Sequence, residues 1–399
     1  MNGRAGAGKD VLIVGAGIFG LSCAWACLQR GMAVRVVERA TPGLGASGGP
    51  LGVLAPHAPE RWNEEKACQQ AALRALPDWI AQIEAAAGMS VHYDAVGRVQ
   101  PLADAAARAR AEALVLQAAA QWGAGAMWLE PGDARPDWVD PGTAPQGILA
   151  DRITARLNPR AACAALVKAI TAAGGRIDTG CEVLEIAETG IATAHGNLQA
   201  DIVVIAAGAQ SFDLIGRALA RTENRDATGD ETGDAPGDPA QQAGFVGTAV
   251  KGQAAWLDLR LGARPVIYDR GVYVVAHAGG GVAVGSTSEQ SWADPDATDA
   301  ALGAVLDRAR ALCPAIRDAP VARRWAGLRP RARRGKPLLG PVPGRRGLMV
   351  ATGGYKTGFG LSACIGTALA DMIAGHAPRV PPTWLTMPDN GRNGAKAAC

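Results

Sequence analysis

The chain has 399 residues, which is enough for two or three domains, and 48% of them are hydrophobic, as in a soluble globular enzyme. A net charge of +3 gives no reason to expect a nucleic-acid partner or a membrane surface. The eight cysteines form no CxxC pair and the five histidines lack metal-ligand spacing, so we expect no metal site and reduced thiols in a cytoplasmic protein.

The first predicted elements form a strand–helix–strand unit between Val11 and Glu38. An apolar run at 11–14 leads into Gly15-Ala-Gly17-Ile-Phe-Gly20, an apolar helix follows, and a second run ends at Glu38. The three glycines allow a tight turn, close approach to a pyrophosphate and close helix packing, in that order. The helix N-terminus faces the phosphates, and Glu38 can accept from a ribose hydroxyl. This spacing predicts dinucleotide binding.

A membrane segment is the main alternative for this stretch. Residues 11–28 carry no charge, and Arg4 and Lys9 precede them. However, glycines at turn spacing would weaken a spanning helix, and Glu38 follows a second buried strand. We therefore expect no membrane span.

The middle of the chain alternates helices, strands and one polar segment. Residues 41–60 are rich in glycine and proline but apolar, which predicts a loop pressed against a ligand. Residues 221–243 contain six acidic residues and almost no bulky apolar ones, which predicts a disordered insertion. The remaining predicted elements are helices at 64–87, 103–122, 160–173 and 298–313, strands at 176–179, 183–188 and 201–208, and a strand-rich region at 244–288 that contains a hairpin.

The C-terminal strand–glycine–helix element changes the expected cofactor from NAD to FAD. Residues 348–354 read as a strand, and a helix begins near Leu361. The segment between them supplies backbone N–H groups just before that helix. A flavin ring needs a second helix N-terminus, whose donors can stabilise negative charge at the N1–C2=O edge of the flavin.

These motifs together resemble the FAD-dependent amine and amino-acid oxidases of the D-amino-acid oxidase superfamily, and most of all the glycine oxidases. The resemblance covers nearly the whole chain apart from 221–243. Its markers are VLIVGAGIFGLSCA at 11–24, Glu38-Arg39, ASGGPLGVLA at 46–55, IAAGAQS at 205–211, VKGQ at 250–253, YVV at 273–275, VGSTSE at 284–289, WAGLRP at 325–330, GKPLLGP at 335–341 and ATGGYKTGFG at 351–360.

The resemblance implies a set of cofactor-binding residues. The pyrophosphate loop would be Gly15, Ala16, Gly17, Ile18 and Gly20, with Glu38 and Arg39 at the adenosine end. Other contacts along FAD would come from Ala46, Ser47, Gly52, Val53, Leu54, Val183, Ala207 and Gly208. The flavin ring would be wrapped by Gly354, Tyr355, Lys356, Thr357, Gly358, Phe359 and Gly360.

The resemblance also implies that Arg329 clamps the substrate carboxylate, with Tyr273 beside it. A planar guanidinium is the best holder of a carboxylate, and the apolar stretch 325–328 could bury it. The alternatives are a surface arginine within the basic run 323–346, and a plain packing role for the tyrosine. His57 and His277 are more typical of structural histidines than of catalytic bases.

Three positions depart from the family pattern. Lys356 stands where glycine oxidases have an arginine. This puts the substrate contact there in doubt, because a lysine ammonium is a point charge and cannot donate the paired hydrogen bonds of a planar guanidinium. Ala332-Arg333-Arg334 replaces a Thr-x-Asp pattern, which leaves substrate identity and oxygen reactivity open. Residues 323–336 contain no cysteine, so we expect non-covalent FAD.

The resemblance implies an α/β fold in which a Rossmann-type FAD-binding domain (1–85, 151–217 and 322–385) is interleaved with a substrate domain (86–150 and 244–321). The substrate domain is expected to be an antiparallel sheet with helices. The implied partners are a small amine or amino-acid substrate and O2 or another electron acceptor, without nucleic acid; a homo-oligomer stays open.

The implied activity is oxidation of the amine of glycine, sarcosine or a D-amino acid to an imino acid, which water converts to a keto acid and ammonia while O2 becomes H2O2. The alternatives are a dehydrogenase of the same fold that reduces a quinone, a flavoenzyme acting on carboxymethylaminomethyl-uridine of tRNA, and a non-catalytic FAD-binding protein.

Overall fold

The computed structural model describes residues 8–226, 246–385 and 387, and within them two large sheets contribute to the walls of one cavity. The strands are, in chain order, β1 (Asp10–Val14), β2 (Ala33–Glu38), β3 (Val53–Leu54), β4 (Arg98–Pro101), β5 (Met127–Glu130), β6 (Ile148–Asp151), β7 (Ala155–Arg156), β8 (Arg176–Thr179), β9 (Val183–Ala187), β10 (Gly190–Thr193), β11 (Gly196–Gln199), β12 (Ile202–Ile205), β13 (Gly247–Leu257), β14 (Val266–Asp269), β15 (Val272–Ala276), β16 (Val282–Gly285), β17 (Val321–Ala332), β18 (Leu338–Pro341) and β19 (Leu348–Thr352). The α-helices are α1 (Ile18–Gln29), α2 (Glu64–Ala87), α3 (Ala105–Trp122), α4 (Pro159–Ala172), α5 (Ser211–Asp226), α6 (Ala300–Leu312) and α7 (Gly358–Ile373).

The first large sheet has the strand order β18-β19-β12-β1-β2-β8 and is parallel except for the edge strand β18. Residues 11–14 of β1 pair with 202–205 of β12, and both strands are largely buried, which explains their continuous apolar runs. This topology brings the carboxyl ends of β1, β12 and β19 to one edge of the sheet, where ligands bind in open parallel sheets.

Helices α1 and α7 pack against each other and against this sheet, and both are buried over most of their length. Their close approach depends on Gly366, where a Cβ would lie 2.4 Å from the carbonyl oxygen of Ser22 in α1. Gly20 serves a different contact, because a Cβ there would lie 2.0 Å from the carbonyl oxygen of Gly15 in the turn before α1. Within the described ranges, none of the helices has both the length and the hydropathy needed to cross a membrane.

The second large sheet has the order β17-β13-β16-β15-β14-β4-β6-β5 and is antiparallel apart from the pairing of β4 with β14. Helix α6 packs on one face, where Leu302 and Leu306 join a core with Ala255 and Val274. Side chains alternate between the faces of a strand, so Tyr273 points to the opposite face, towards the cavity.

Most predicted elements are confirmed in type and position. Helix α2 coincides with the prediction, and α3, α4 and α6 agree with it to within two residues at each end. The predicted hairpin is β15–β16. The α/β class, with a Rossmann-type sheet beside an antiparallel one, is confirmed as well.

Several local expectations need correction. Helix α7 begins at Gly358, three residues before the predicted start, because glycines at 358 and 360 are accommodated in its first turn. The region 127–150 lacked a recognisable period but contains β5 and begins β6. The predicted insertion 221–243 starts inside α5, whose helix continues to Asp226; residues 227–243 lie outside the described residues.

The predicted domain boundary at 322 falls inside a strand that belongs to the antiparallel sheet. Strand β17 pairs with β13 from Val321 to Ala332. The division of the chain into domains stays a prediction.

We predict that Gly366→Ala lowers the free energy of unfolding by about 1–3 kcal/mol, because its methyl group meets the backbone of α1. The matched control is Gly303→Ala in α6, where an added Cβ meets nothing within 4 Å. This control should stabilise the protein by up to about 1 kcal/mol through helix propensity. Urea unfolding of both variants tests the packing, and equal effects would contradict it.

Candidate active site

The turn between β1 and α1 forms one wall of the cavity. Gly15 has φ of +103°, and a Cβ there would lie 2.6 Å from the carbonyl oxygen of Ala206, so glycine is required. Gly17 is the N-cap residue of α1. The hydroxyl of Ser47 accepts from the N–H of Ile18 at 2.9 Å, which places a rotatable O–H at the positive end of the helix dipole.

Glu38 is fixed at the carboxyl end of β2 by two backbone donors. Its Oε2 accepts from the N–H of Ala16 at 2.8 Å, and its Oε1 accepts from the N–H of Ala40 at 2.9 Å. Each carboxylate oxygen has a second lone-pair site. The side chain lines the cavity, so it can still accept from a ligand hydroxyl.

The predicted ligand-facing loop at 41–60 does line the cavity, and packing holds it there. Gly52 has φ of +62°, and a Cβ on it would lie 2.0 Å from the carbonyl oxygen of Leu157. Arg160, in the first turn of α4, donates from Nε to the carbonyl oxygen of Gly48 at 3.2 Å. The loop is therefore a fixed wall between α4 and the cavity.

The ends of β12 and β19 form the next part of the wall. Thr352 donates from Oγ1 to the carbonyl oxygen of Gly208 at 3.0 Å, which ties the two strand ends together. Gly208 has φ of +59°, a conformation that favours glycine. Val183 lines the cavity near the end of β2, where the N–H of Cys181 donates to the carbonyl oxygen of Glu38 at 2.9 Å.

The loop from β19 into α7 supplies a second helix N-terminus. Thr357 is the N-cap residue, yet no side chain caps the helix. Residues 358–360 line the cavity, so their N–H groups are available to an acceptor within it. The N–H of Tyr355 donates to the carbonyl oxygen of Pro330 at 3.0 Å, which joins this loop to β17.

These walls enclose a cavity of about 980 Å³, at the upper end of the range of about 300–1,000 Å³ for small-molecule sites. All the predicted cofactor and substrate residues line it except Ala16 and Gly20, which lie behind the glycine turn. A cavity wall with two helix N-termini, a fixed carboxylate and glycines such as Gly15 and Gly52 at tight turns fits a flavin dinucleotide.

The antiparallel sheet forms the opposite wall. Tyr273, Gly285, Ala254 and Trp325 lie in register across four strands, so their side-chain positions share the face towards the cavity. Gly285 and Ala254 are small, and Leu51 of the loop packs over Gly285, where its Cδ1 would lie 3.2 Å from an added Cβ. Tyr273 packs on Tyr268 with ring centroids 4.7 Å apart, and burial raises the pKa of its hydroxyl, which therefore stays a neutral donor.

Arg329 lies farther along β17 on the same face and is only 9% exposed. Its Nη1 donates to the carbonyl oxygen of Thr287 at 3.0 Å. A Cβ on Gly252 would lie 1.9 Å from Nη2, so the guanidinium rests directly on a glycine backbone. Burial lowers the pKa of Arg329, partly offset by Tyr355 and Glu289.

Arg98 is another arginine on the cavity wall, and it was not predicted from the sequence. Unlike Arg329, it is paired with a carboxylate. Its Nε donates to Asp151 Oδ2 at 2.9 Å, so its charge is neutralised. Within residues 8–226, 246–385 and 387, no carboxylate forms an ion pair with Arg329. A buried cation with an unpaired side facing a cavity is suited to an anionic ligand.

Trp325 is another wall residue that sequence reasoning did not assign. A Cβ added to Gly49 would lie 3.1 Å from the Trp325 ring, and a Cβ added to Gly327 would lie 2.5 Å from it. The indole therefore lies flat between the loop and β17. The two-residue spacing of Trp325, Gly327 and Arg329 was the available signal, because it places all three on one strand face.

The predicted Lys356 lines the cavity but is solvent-exposed, with Nζ 5.4 Å from the ring centroid of Tyr355. His277 is buried: it stacks on Trp256, and its Nε2 lies 2.9 Å from the carbonyl oxygen of Pro50. Burial lowers the pKa of His277 to about 4, so this ring is neutral near pH 7 and structural. His57 lines the cavity. Burial lowers the pKa of His57, and the nearby charge of Lys66 lowers it further.

Comparisons with known proteins agree with this geometry. The model of the DAO family, described as FAD dependent oxidoreductase, matches residues 10–372. The glycine oxidase of Pseudomonas putida is 33% identical over 195 residues, which cover 49% of this chain and 47% of that protein. The glycine oxidase of Geobacillus kaustophilus is 26% identical over 376 residues, covering 91% of this chain and 92% of that one. The aligned part thus spans about half the length of the Pseudomonas relative and most of the Geobacillus one.

Solved structures show the same fold. The crystal structure of glycine oxidase from Geobacillus kaustophilus has a TM-score of 0.80 at 23% identity, covering 95% of this chain and 98% of that chain. The structure of iminodiacetate oxidase from Chelativorans sp. BNC1 has a TM-score of 0.79 at 22% identity, covering 95% of this chain and 100% of that chain.

Proposed function

The chain belongs to the DAO family of FAD-dependent oxidoreductases, and we propose that it oxidises the amine of a small amino acid such as glycine, sarcosine or a D-amino acid. The product is an imino acid, which water hydrolyses to an oxo acid and ammonia or a primary amine. O2 accepts the electrons and is reduced to H2O2. The observation that carries the proposal is the buried, unpaired guanidinium of Arg329 on the wall of a cavity that fits FAD.

Arg329 binds the substrate carboxylate. A guanidinium can donate two parallel hydrogen bonds to a carboxylate, and burial strengthens them because water does not compete. Tyr273 is the proposed second donor to the same carboxylate, since its hydroxyl stays protonated. Two fixed donors orient the α-carbon, which is the main contribution that a protein makes to such a reaction.

The charges around the cavity favour the reactive form of the amine. Bound FAD supplies the acceptor for the hydride that leaves the α-carbon. Arg329 and the wall residue Lys356 are both cations, so they disfavour a protonated substrate amine and favour the neutral one. The uncapped first turn of α7 presents N–H groups that stabilise negative charge as it develops beside them.

The names of relatives support the same proposal. Proteins called glycine oxidase align with this chain, and one of them does so over most of both lengths.

We predict that glycine, sarcosine or a small D-amino acid bleaches the oxidised-flavin absorbance of the purified protein under anaerobic conditions. Admitting air should restore the absorbance and yield one H2O2 per substrate. Methylamine, which lacks the carboxylate, is the control and should bleach the flavin far more slowly. A flavin that none of these amines bleaches contradicts the proposal, and bleaching without peroxide in air would point to a dehydrogenase instead.

We predict that Arg329→Ala lowers kcat/KM for the best substrate by at least about 30-fold, because removing a buried charged partner costs about 2 kcal/mol or more. The matched control is Arg324→Ala, an exposed arginine on the same strand that does not line the cavity. Steady-state kinetics at equal FAD content should leave the control near wild type. Similar losses in both variants would refute the clamp assignment.

A further inference from the structure

We propose that Glu289, Gln253 and Lys251 are positioning residues that hold Arg329 in its carboxylate-binding orientation through the main chain of Thr287. They act from the face of the antiparallel sheet that is turned away from the cavity. The proposal rests on the proposed role of Arg329 as the carboxylate clamp.

The position of Arg329 depends on one carbonyl group and one glycine. Nη1 donates to the carbonyl oxygen of Thr287 at 3.0 Å, and the guanidinium lies over Gly252. Within the described residues, the carbonyl of Thr287 is the hydrogen-bond acceptor of the guanidinium, and Gly252 offers it no side chain to bond to. The location of the Thr287 carbonyl therefore determines where the guanidinium points.

Thr287 lies in an irregular segment just after β16 ends at Gly285. Main-chain hydrogen bonds attach this segment to β13. The N–H of Lys251 donates to the carbonyl oxygen of Glu289, and the N–H of Glu289 donates to the carbonyl oxygen of Lys251, both at 2.9 Å. The N–H of Thr287 donates to the carbonyl oxygen of Gln253 at 3.3 Å. Because these main-chain bonds are few, the position of the segment also depends on the hydrogen bonds of its side chains.

The side chain of Gln253 is fully buried and makes hydrogen bonds to two neighbours, Glu289 and Asp299. Its Nε2 donates to Glu289 Oε1 at 2.9 Å and to Asp299 Oδ1 at 2.8 Å, and its Oε1 accepts from the N–H of Asp299 at 2.8 Å. Thr287 donates from its hydroxyl to Glu289, and the same hydroxyl accepts from the N–H of Gln253. All hydrogen-bonding atoms of the Gln253 amide thus act on the segment or on the start of α6.

Lys251 completes the network with a charge. It is only 2% exposed, and its Nζ lies 3.5 Å from Asp299 Oδ2 and 3.9 Å from Glu289 Oε2. Burying an ion pair often gains little stability over an apolar replacement. A positioning role gives a physical reason for the buried charge, because two carboxylates around one ammonium hold Glu289 at a fixed place.

The network also affects the charge of Arg329. Glu289 carries a negative charge on the side of the guanidinium away from the proposed substrate position, whereas Asp299 is half exposed to solvent. Glu289 opposes the effect of burial on the pKa of Arg329. The arrangement stabilises the buried cation without occupying the donors that face the cavity.

The test is a double-variant cycle on the FAD-loaded protein, with Glu289→Gln, Arg329→Ala and both together. The dissociation constant of acetate, an inert carboxylate, is read from the change it causes in the flavin absorbance spectrum. We expect Glu289→Gln to weaken acetate binding about tenfold alone and less than twofold when Arg329 is already alanine, because it acts through that residue. KM for the amino acid should rise in parallel while kcat changes little.

The matched control is Glu130→Gln, which removes the negative charge of another ion pair, between Glu130 and Arg135. Glu130 lies on β5 of the same sheet. It should leave acetate binding unchanged. If Glu289→Gln does not fold, Lys251→Gln carries the same expectation, and Lys251→Arg should restore binding. Unchanged acetate affinity in Glu289→Gln, or equal losses with and without Arg329, would overturn the proposal.

The acetate measurement needs no turnover, so its outcome is separate from that of the proposed function. A protein that oxidises no amine but shows the coupled acetate effect retains the positioning network and loses only the activity assignment.

Discussion

A guanidinium that is buried without a carboxylate partner, as far as the described residues go, is the constraint on which the proposed substrate wall depends. Arg329 is 9% exposed, and removing such a charge from water is expensive unless other groups compensate. Here the compensation comes from one carbonyl oxygen and from negative charge behind the sheet. Arg329 lines the cavity, where under the proposed function a substrate carboxylate would accept from its remaining donors.

The glycine turn and the arginine strand belong to two sheets with different tasks. The parallel sheet brings three strand ends and two helix N-termini to one edge, where we propose that the phosphates and the flavin ring bind. The antiparallel sheet presents a flat face on which Tyr273 and Arg329 are placed by cross-strand register. Gly366 lets α7 pack closely on α1, and Gly20 lets α1 pack closely on the turn after β1.

The cofactor side could be predicted from the sequence because its signals are local. Gly15, Gly17 and Glu38 lie within one strand–helix–strand unit, and the structure places all three around the same turn. Arg329 and Tyr273 are some fifty residues apart, and only the family resemblance indicated that they share a wall. The structure adds that both lie on one face of the same sheet.

The support for Arg329 could not be predicted because it depends on register between distant strands. Gly252 lies beneath the guanidinium only because Val250 pairs with Arg329 across β13 and β17. The markers VKGQ and VGSTSE were recognised as family motifs, but nothing in their spacing indicates that Lys251 and Glu289 meet. The end of α5 could not be predicted for another reason: its polar residues beyond 220 resemble a disordered segment in composition.

A crystal structure of the FAD-loaded protein with bound acetate tests the central claim most directly. The account predicts that the carboxylate accepts two hydrogen bonds from the guanidinium of Arg329 and lies over the flavin ring, with the Thr287 carbonyl still holding Nη1. Acetate bound elsewhere in the cavity, or an Arg329 side chain turned away from it, would contradict the account.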